Sequence, residues 1–264
     1  MISKNQVKLI RQLEQKKHRM REGLFVAEGP KVVGDLLRRM PAEALFATAD
    51  YLDAVGLAAD VQDSLRATTV QEVSADELRR ISFLQHPQQV LALFRQPQSS
   101  PSVSSLPWTK KGLSLVLDGV QDPGNLGTII RLADWFGIDA VFCSHHTADA
   151  WNPKVVQATM GSIARVPIIY CDLAELLTST PLPVYGTLLD GANLYSQTLS
   201  PDALIVMGSE GTGISAPVRQ LINHRLLIPR YGSSDGAESL NVAIATSIVC
   251  AEFRRSCPTT APLV

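Results

Sequence analysis

Three short stretches hold the residues whose types and spacing suit chemistry. DPGNLG (Asp122–Gly127) is followed six residues after Asn125 by Arg131; MGSEGTGIS (Met207–Ser215) carries Glu210 among three glycines; IPRYGSSDGAESLN (Ile228–Asn241) ends in Ser-Leu-Asn. An asparagine amide both donates and accepts, a guanidinium only donates, and a carboxylate accepts, so Asn125, Arg131, Glu210 and Asn241 could orient a hydroxyl and its proton. The glycine spacing of the second stretch resembles a phosphate-binding loop, but Ile214 stands where that loop needs a lysine. The dinucleotide fingerprint G-x-G-x-x-G is absent from the first stretch. A nucleotide-hydrolysing enzyme and a conventional dehydrogenase are both disfavoured.

The elements around these stretches decide whether they meet. After residue 107 apolar strands alternate with helices: GLSLVLDG, DAVFCS, VPIIYC, LPVYGTLLDG, ALIVMG and RLLIP, with helices after DPG, at Asn152-Pro153 (through about Met160), at Asp172, at Ser215 (through about Ile222) and over Ser239–Phe253. Such alternation predicts a parallel sheet covered on both faces, with ligands bound at the carboxyl ends of the strands. All three stretches follow strands and should reach that rim, LPVYGTLLDG ending in a further glycine turn. Glycines, apolar strand ends and few cations suit a ligand without a phosphate tail, and adenosylmethionine, whose sulfonium a lysine would repel, fits that description.

Before that rhythm begins, Ser3-Lys-Asn-Gln6 predicts a capping box and a helix to about Arg19. LFVAEG, ALFAT, TTVQEV and QVLALFRQ read as strands, Pro30 opens a helix, and Ser74 to Glu77 caps another, giving a β-α-β-α-β unit of about a hundred residues. The Pro- and Ser-rich Gln96–Pro107 reads as a linker. The division expected is 1–95 for a small N-terminal α/β domain, 96–107 for the linker, 108–257 for a catalytic domain and 258–264 for a tail.

The 264 residues carry a formal charge of −1 and 45% apolar content, which fits a globular chain of one or two domains. The charge is uneven. Residues 1–39 hold Lys4, Lys8, Arg11, Lys16, Lys17, Arg19, Arg21, Lys31, Arg38 and Arg39 against four acids, the pattern of a polyanion-binding arm or of a solvated helix face. Cys143, Cys171, Cys250 and Cys257 show no metal or disulfide spacing and read as reduced thiols. The adjacent His145 and His146 would point apart rather than share a metal. The N-terminus lacks a signal-peptide pattern and no apolar run is long enough to span a membrane, so a cytoplasmic location is expected.

Taken together and in order, the three stretches resemble the signature motifs of the SpoU (TrmH) family of RNA ribose 2′-O-methyltransferases, of the SPOUT superfamily. Asn125, Gly127 and Arg131 match the first motif, Gly208, Glu210 and Gly213 the second, and Ile228-Pro229 with Ser239–Val242 the third. The stretch around FVAEGPKVV resembles the family's small RNA-binding domain, akin to a ribosomal protein. The resemblance implies S-adenosyl-L-methionine as cofactor, no metal, ribosomal RNA as substrate with tRNA as the alternative, a deep trefoil knot, and a homodimer whose active sites draw on both subunits. A non-catalytic RNA-binding module of the same fold is a further alternative. The site it implies has Arg131, Asn125, Glu210, Ser239 and Asn241 on the catalytic side. Gly208, Gly213, Ile228, Pro229 and Leu240 hold the cofactor, with Thr187, Leu188 and Met207 as its wall. Arg131 would orient the ribose hydroxyl and stabilise developing negative charge; a guanidinium only donates and makes a poor base. Asn125 would hold Arg131 or the ribose, or serve only the turn. Glu210 would accept hydrogen bonds from backbone or from the partner subunit, and Ser239 and Asn241 would contact substrate or cap the last helix. Arg230–Glu238 makes the third stretch longer than the common family loop, so its anchors are its two ends.

Overall fold

Ser3 Oγ accepts the Gln6 N–H and Gln6 Oε1 accepts the Ser3 N–H, and this box opens α1 (Lys4–Gln12). The helix expected to run on to Arg19 instead breaks, restarting as α2 (Lys16–Glu22). The break has a cause the local pattern cannot show. Arg19 is buried; its Nη1 donates to the carbonyls of Leu13 and Glu14 at 2.8 and 2.7 Å, and its guanidinium pairs with Asp149. A buried guanidinium needs acceptors, and the broken turn supplies two of them.

The computed structural model describes residues 1–56, 58–97, 106–232 and 239–255. Most of the Gln96–Pro107 stretch, residues 233–238 of the Arg230–Glu238 loop, Cys257 and the 258–264 tail lie outside the described residues. The chain divides into two units, Met1–Gln98 with Asp149–Arg165, and Ser99–Ala148 with Val166–Val264.

The first unit continues through β1 (Leu24–Glu28), α3 (Pro30–Leu37), β2 (Ala44–Ala47), α4 (Ala49–Gly56), α5 (Gln62–Arg66), β3 (Thr69–Glu72), α6 (Ala75–Ile81) and β4 (Val90–Arg95). Pro30 opens α3 and the Ser74–Glu77 box opens α6, as the sequence predicts. The four strands read from the sequence are all present, whereas the sequence gives no sign of α4 and α5. The order of the sheet is β1-β4-β2-β3, with β4 antiparallel to both neighbours and β2 parallel to β3. Ile10, Leu13, Val26, Phe46, Leu78, Ile81 and Leu91 form its core. Glu28 is buried at the end of β1, where it accepts from the Ser82 hydroxyl and, at 2.8 Å, from the Phe83 N–H.

The second unit is built on β5 (Leu113–Asp118), α7 (Pro123–Trp135), β6 (Val141–Cys143), β7 (Ile168–Tyr170), α9 (Leu173–Ser179), β8 (Val184–Asn193), β9 (Ala203–Gly208), α10 (Ala216–Arg219), β10 (His224–Leu227) and α11 (Val242–Arg255). The sheet order is β10-β8-β9-β5-β6-β7 and every pairing is parallel. Leu113–Leu117 and Ala203–Met207 are buried without alternation, so both faces of the central strands are covered. Between β6 and β7, residues 149–165, with α8 (Pro153–Ala158), belong to the first unit. There Trp151 packs on Phe25 with ring centroids 4.8 Å apart, and Asp35 of α3 pairs with Arg165 at 2.9 Å.

Gly191 does not end a strand in a turn, as expected; it lies inside β8, where a Cβ would overlap the Leu226 backbone. Helix α11 starts after Asn241 rather than at Ser239, and α10 ends at Arg219. Cys143, Cys171 and Cys250 are free and buried, and burial pushes the Cys171 and Cys250 thiols up to about 12. Among the described residues no group of His, Cys, Asp or Glu is placed to hold a metal, and no helix is long and apolar enough to cross a membrane.

Candidate active site

The three motif loops meet at the carboxyl edge of the parallel sheet. In the first, Gly119 takes a φ of +74° after β5, and Asp122 caps α7 by accepting the Asn125 N–H at 2.8 Å, with Pro123 at the first helical position. In the second, Ser209 and Gly213 exchange backbone hydrogen bonds at 3.1 and 3.0 Å, closing a tight loop with Glu210 on it. Gly213 has a φ of +67°, and at Gly208 a Cβ would overlap the backbone of Gly213 and Ile214, so this loop needs both glycines. Asp118, paired in register with Gly208, accepts the Ser215 N–H at 2.7 Å and ties the first loop to the second. Ser215 holds the N-terminal position of α10 without a side-chain cap bond.

One side-chain chain joins all three. Asn125 Nδ2 donates to Glu210 Oε1, Asn241 Nδ2 donates to Asn125 Oδ1 at 2.9 Å, and Asn241 Oδ1 accepts the N–H groups of Ala243 and Ile244 at 3.0 and 3.3 Å. The two ends fix the polarity of the chain. A carboxylate accepts, so Asn125 turns its amide nitrogen to Glu210 and its oxygen to Asn241; the free N–H groups of α11 claim the oxygen of Asn241.

This arrangement revises several expectations. Asn125 is engaged with Glu210 and Asn241 and does not hold Arg131. Glu210, expected to accept from backbone or from the partner subunit, accepts from the Asn125 side chain. Asn241, not Ser239, caps α11, and Ser239 and Leu240 are exposed. Arg131 is exposed on α7 and has no hydrogen-bond or ion-pair partner among the described residues. It stands about 9 Å along the axis and about 120° around the helix from Asn125, so the two do not share a face. Arg131 instead shares an exposed stripe with Gly124, Thr128 and Trp135.

The expected cofactor residues come from three adjacent strands. Thr187 and Leu188 are half-buried on β8, Met207 and Gly208 end β9, and Ile228 and Pro229 follow β10, also half-buried. Pairing of β8 with β10 jumps from Gly186 to Ala192, which frees Thr187–Gly191 from that ladder. The Thr187 hydroxyl lies 3.7 Å from the Met207 sulfur, Leu188 packs against the core, and Asp190 is held at 2.8 Å by both Arg219 and Arg225. Asp118 is the site residue that sequence reasoning missed; an acid at the end of a buried strand, just before a glycine, was the available signal.

Comparison with known proteins agrees with this geometry. The SpoU rRNA methylase family matches residues 112–251, and an MRM3-like substrate binding domain matches residues 4–92. The 23S rRNA (guanosine(2553)-2′-O)-methyltransferase of Bacillus subtilis is 31% identical over 96% of this chain and 97% of its own. Among solved structures, a TrmH-family protein from Porphyromonas gingivalis is 44% identical, with a TM-score of 0.83 over 97% of this chain and 99% of its own. An adenosylmethionine-bound rRNA methyltransferase from Sinorhizobium meliloti is 30% identical, with a TM-score of 0.85 over 98% of each chain. Fold and site thus define an adenosylmethionine-dependent RNA methyltransferase. The chain belongs to the SpoU rRNA methylase family.

Proposed function

We propose that this enzyme methylates a ribose 2′-hydroxyl in structured ribosomal RNA. The observation that carries the reading is the Glu210–Asn125–Asn241 chain, which locks the three motif loops together at the edge where the parallel sheet offers a ligand site. The residues named for the cofactor fit it: Leu188, Met207, Ile228 and Leu240 are apolar, Gly208 and Gly213 expose backbone, and none of them carries a positive charge to oppose a sulfonium. Bound adenosylmethionine supplies an electrophilic methyl group; the protein's part is alignment, which contributes roughly 7–11 kcal/mol in well-oriented reactions.

Arg131 orients the ribose hydroxyl and adjacent phosphate and stabilises the oxyanion as it develops. Asn125, Glu210 and Asn241 act as positioning residues, and Ser239 faces the substrate. The enzyme works as a homodimer through α7 and α11, which pack together and leave Trp135 83% and Ile244 53% exposed, with Leu240, just before α11, 48% exposed. Arg131 lies on that same α7 stripe and turned away from the Asn125 chain, which supports its serving the partner's site. The C-terminal segment is threaded as a trefoil knot. Its support is that α11, which follows the edge strand β10, packs against α7 and β9 rather than staying at the edge. The N-terminal unit, a ribosomal-protein-like RNA-binding domain, delivers the substrate. Lys4, Lys8, Lys16 and Lys17 are exposed there and have no ion-pair partner among the described residues, as phosphate contacts require. The compartment is the cytoplasm.

The test is methyl transfer from tritiated adenosylmethionine to deproteinised large-subunit ribosomal RNA, with bulk tRNA in parallel. Saturable incorporation into ribosomal RNA is expected. Incorporation into tRNA alone, or saturable RNA binding with no incorporation, would overturn the reading.

A further inference from the structure

His145 and His146 take no part in the site described so far, yet the fold spends several buried hydrogen bonds on placing them. They are the two central residues of a turn closed by the Thr147 N–H to the Ser144 carbonyl at 3.0 Å. Ser144 and Thr147, which flank them, are buried, while both histidines are exposed. The turn is fastened to the loop that carries the first motif. Ser144 N–H donates to the Leu117 carbonyl at 3.0 Å, Ser144 Oγ accepts the Gly119 N–H at 3.0 Å, Thr147 Oγ1 donates to the Leu117 carbonyl at 3.0 Å, and Ala148 N–H donates to the Val120 carbonyl at 2.9 Å. The two hydroxyls also bond each other at 3.1 Å. Tyr170 adds a hydrogen bond to the Ala148 carbonyl.

Two features follow. The turn extends the rim formed by the carboxyl ends of β5 and β6, next to the strand end that leads through Gly119 into Asp122 and Asn125. It is also held from both sides, so the backbone that carries the two flat side chains is fixed on that rim. Neither imidazole has a hydrogen-bond or ion-pair partner among the described residues, so neither helps to close the turn. Each leaves its aromatic face and ring nitrogens to a ligand.

RNA strands are gripped at sites of this kind by stacking unstacked bases on flat side chains, histidine included. Sequence-specific recognition of RNA targets loops and ends whose unstacked bases can be splayed out, so a target ribose in such a segment has a neighbouring base to be held. We infer that the His145–His146 turn is a substrate-positioning element: an imidazole of the turn stacks on a base beside the target ribose and holds the strand in line with the Asn125 loop. The inference rests on the proposed ribose methylation and deepens it.

Stacking on one base is worth about 1–3 kcal/mol on alanine substitution, or roughly 5- to 150-fold. The doubly substituted His145→Ala/His146→Ala enzyme should therefore show a KM for ribosomal RNA at least about fivefold above wild type, with kcat changed far less. Its adenosylhomocysteine affinity and thermal midpoint should stay at wild type, because the buried anchors are untouched. The His145→Phe/His146→Phe enzyme keeps flat rings and should recover most of the KM. An unchanged KM in the alanine enzyme would overturn the inference. So would a phenylalanine enzyme as impaired as the alanine one, since a hydrogen-bonding or ionic role would then replace stacking. If the wild-type enzyme transfers no methyl to RNA, it is the proposed function that fails.

Discussion

Asn241 donates its side-chain amide to the side-chain oxygen of Asn125 across 2.9 Å, although 116 positions separate them in the chain. Since Asn125 in turn donates to Glu210 and Asn241 caps α11, one asparagine pair fixes the relative placement of three motif loops and the start of the last helix.

Replacing Asn125 with Asp tests this pair. The change sets a second carboxylate against Glu210 and removes the only donor in that contact. The expected loss is about 1–3 kcal/mol in urea unfolding, with methylation falling alongside. Adding Glu210→Gln restores a donor and should recover part of both. A double variant no better than the sum of the single ones would show that Asn125 and Glu210 are not coupled.

Arg131→Ala should abolish methylation while adenosylhomocysteine affinity stays near wild type, because Arg131 supports no part of the fold. If Arg131 acts on the partner's site, mixing this variant with a cofactor-deficient Gly208→Ala enzyme, after subunit exchange, should restore about a quarter of wild-type activity, since half the dimers then carry one complete site. No recovery, with heterodimers confirmed by mass, would place Arg131 in its own subunit's site.

Gly208→Ala alone should lose cofactor affinity. The added methyl has no room against the Gly213 and Ile214 backbone, so the loop that carries Glu210 must shift. Isothermal titration with adenosylhomocysteine should show at least about tenfold weaker binding, with a stability loss of about 1–3 kcal/mol. Wild-type affinity in this variant would mean that the loop can move without harm to the pocket.

Glu28 gives a prediction about pH. Burial raises its carboxyl above the ordinary value of 4.5, against the hydrogen bonds from Ser82 and Phe83 and the nearby Arg11. The native state therefore keeps this proton to higher pH than the unfolded chain does. The stabilising contribution is fully present below 4.5 and is lost as pH rises through the native value. Glu28→Gln mimics the protonated form, so its stability relative to wild type should increase with pH over that window and then level off. A wild type that gains on the glutamine variant as pH rises would reverse the sign and contradict the burial argument.

The parts of this molecule that the sequence discloses are those written in local patterns. Capping at Ser3, Ser74 and Asp172, the proline at the start of α3 and the apolar runs of β5 and β9 each depend on residues within a turn or a strand of one another. The three motif loops follow such strands, so their convergence could be expected too. What stays hidden depends on distant partners. Helix α1 breaks because Arg19 meets Asp149, Gly191 is set by the Leu226 backbone, and α11 is capped by Asn241, which also reaches Asn125, rather than by Ser239. Arg131 shows the same limit in reverse: its motif spacing suggests a place beside Asn125, and helix geometry turns it away.

The most direct measurement concerns which atom receives the methyl group. Ribosomal RNA labelled by the enzyme with tritiated adenosylmethionine can be hydrolysed in alkali, which cleaves at every ribose whose 2′-hydroxyl is free. The account predicts tritium in alkali-resistant dinucleotides, and none after Arg131→Ala. Tritium recovered instead in mononucleotides carrying a methylated base would contradict it.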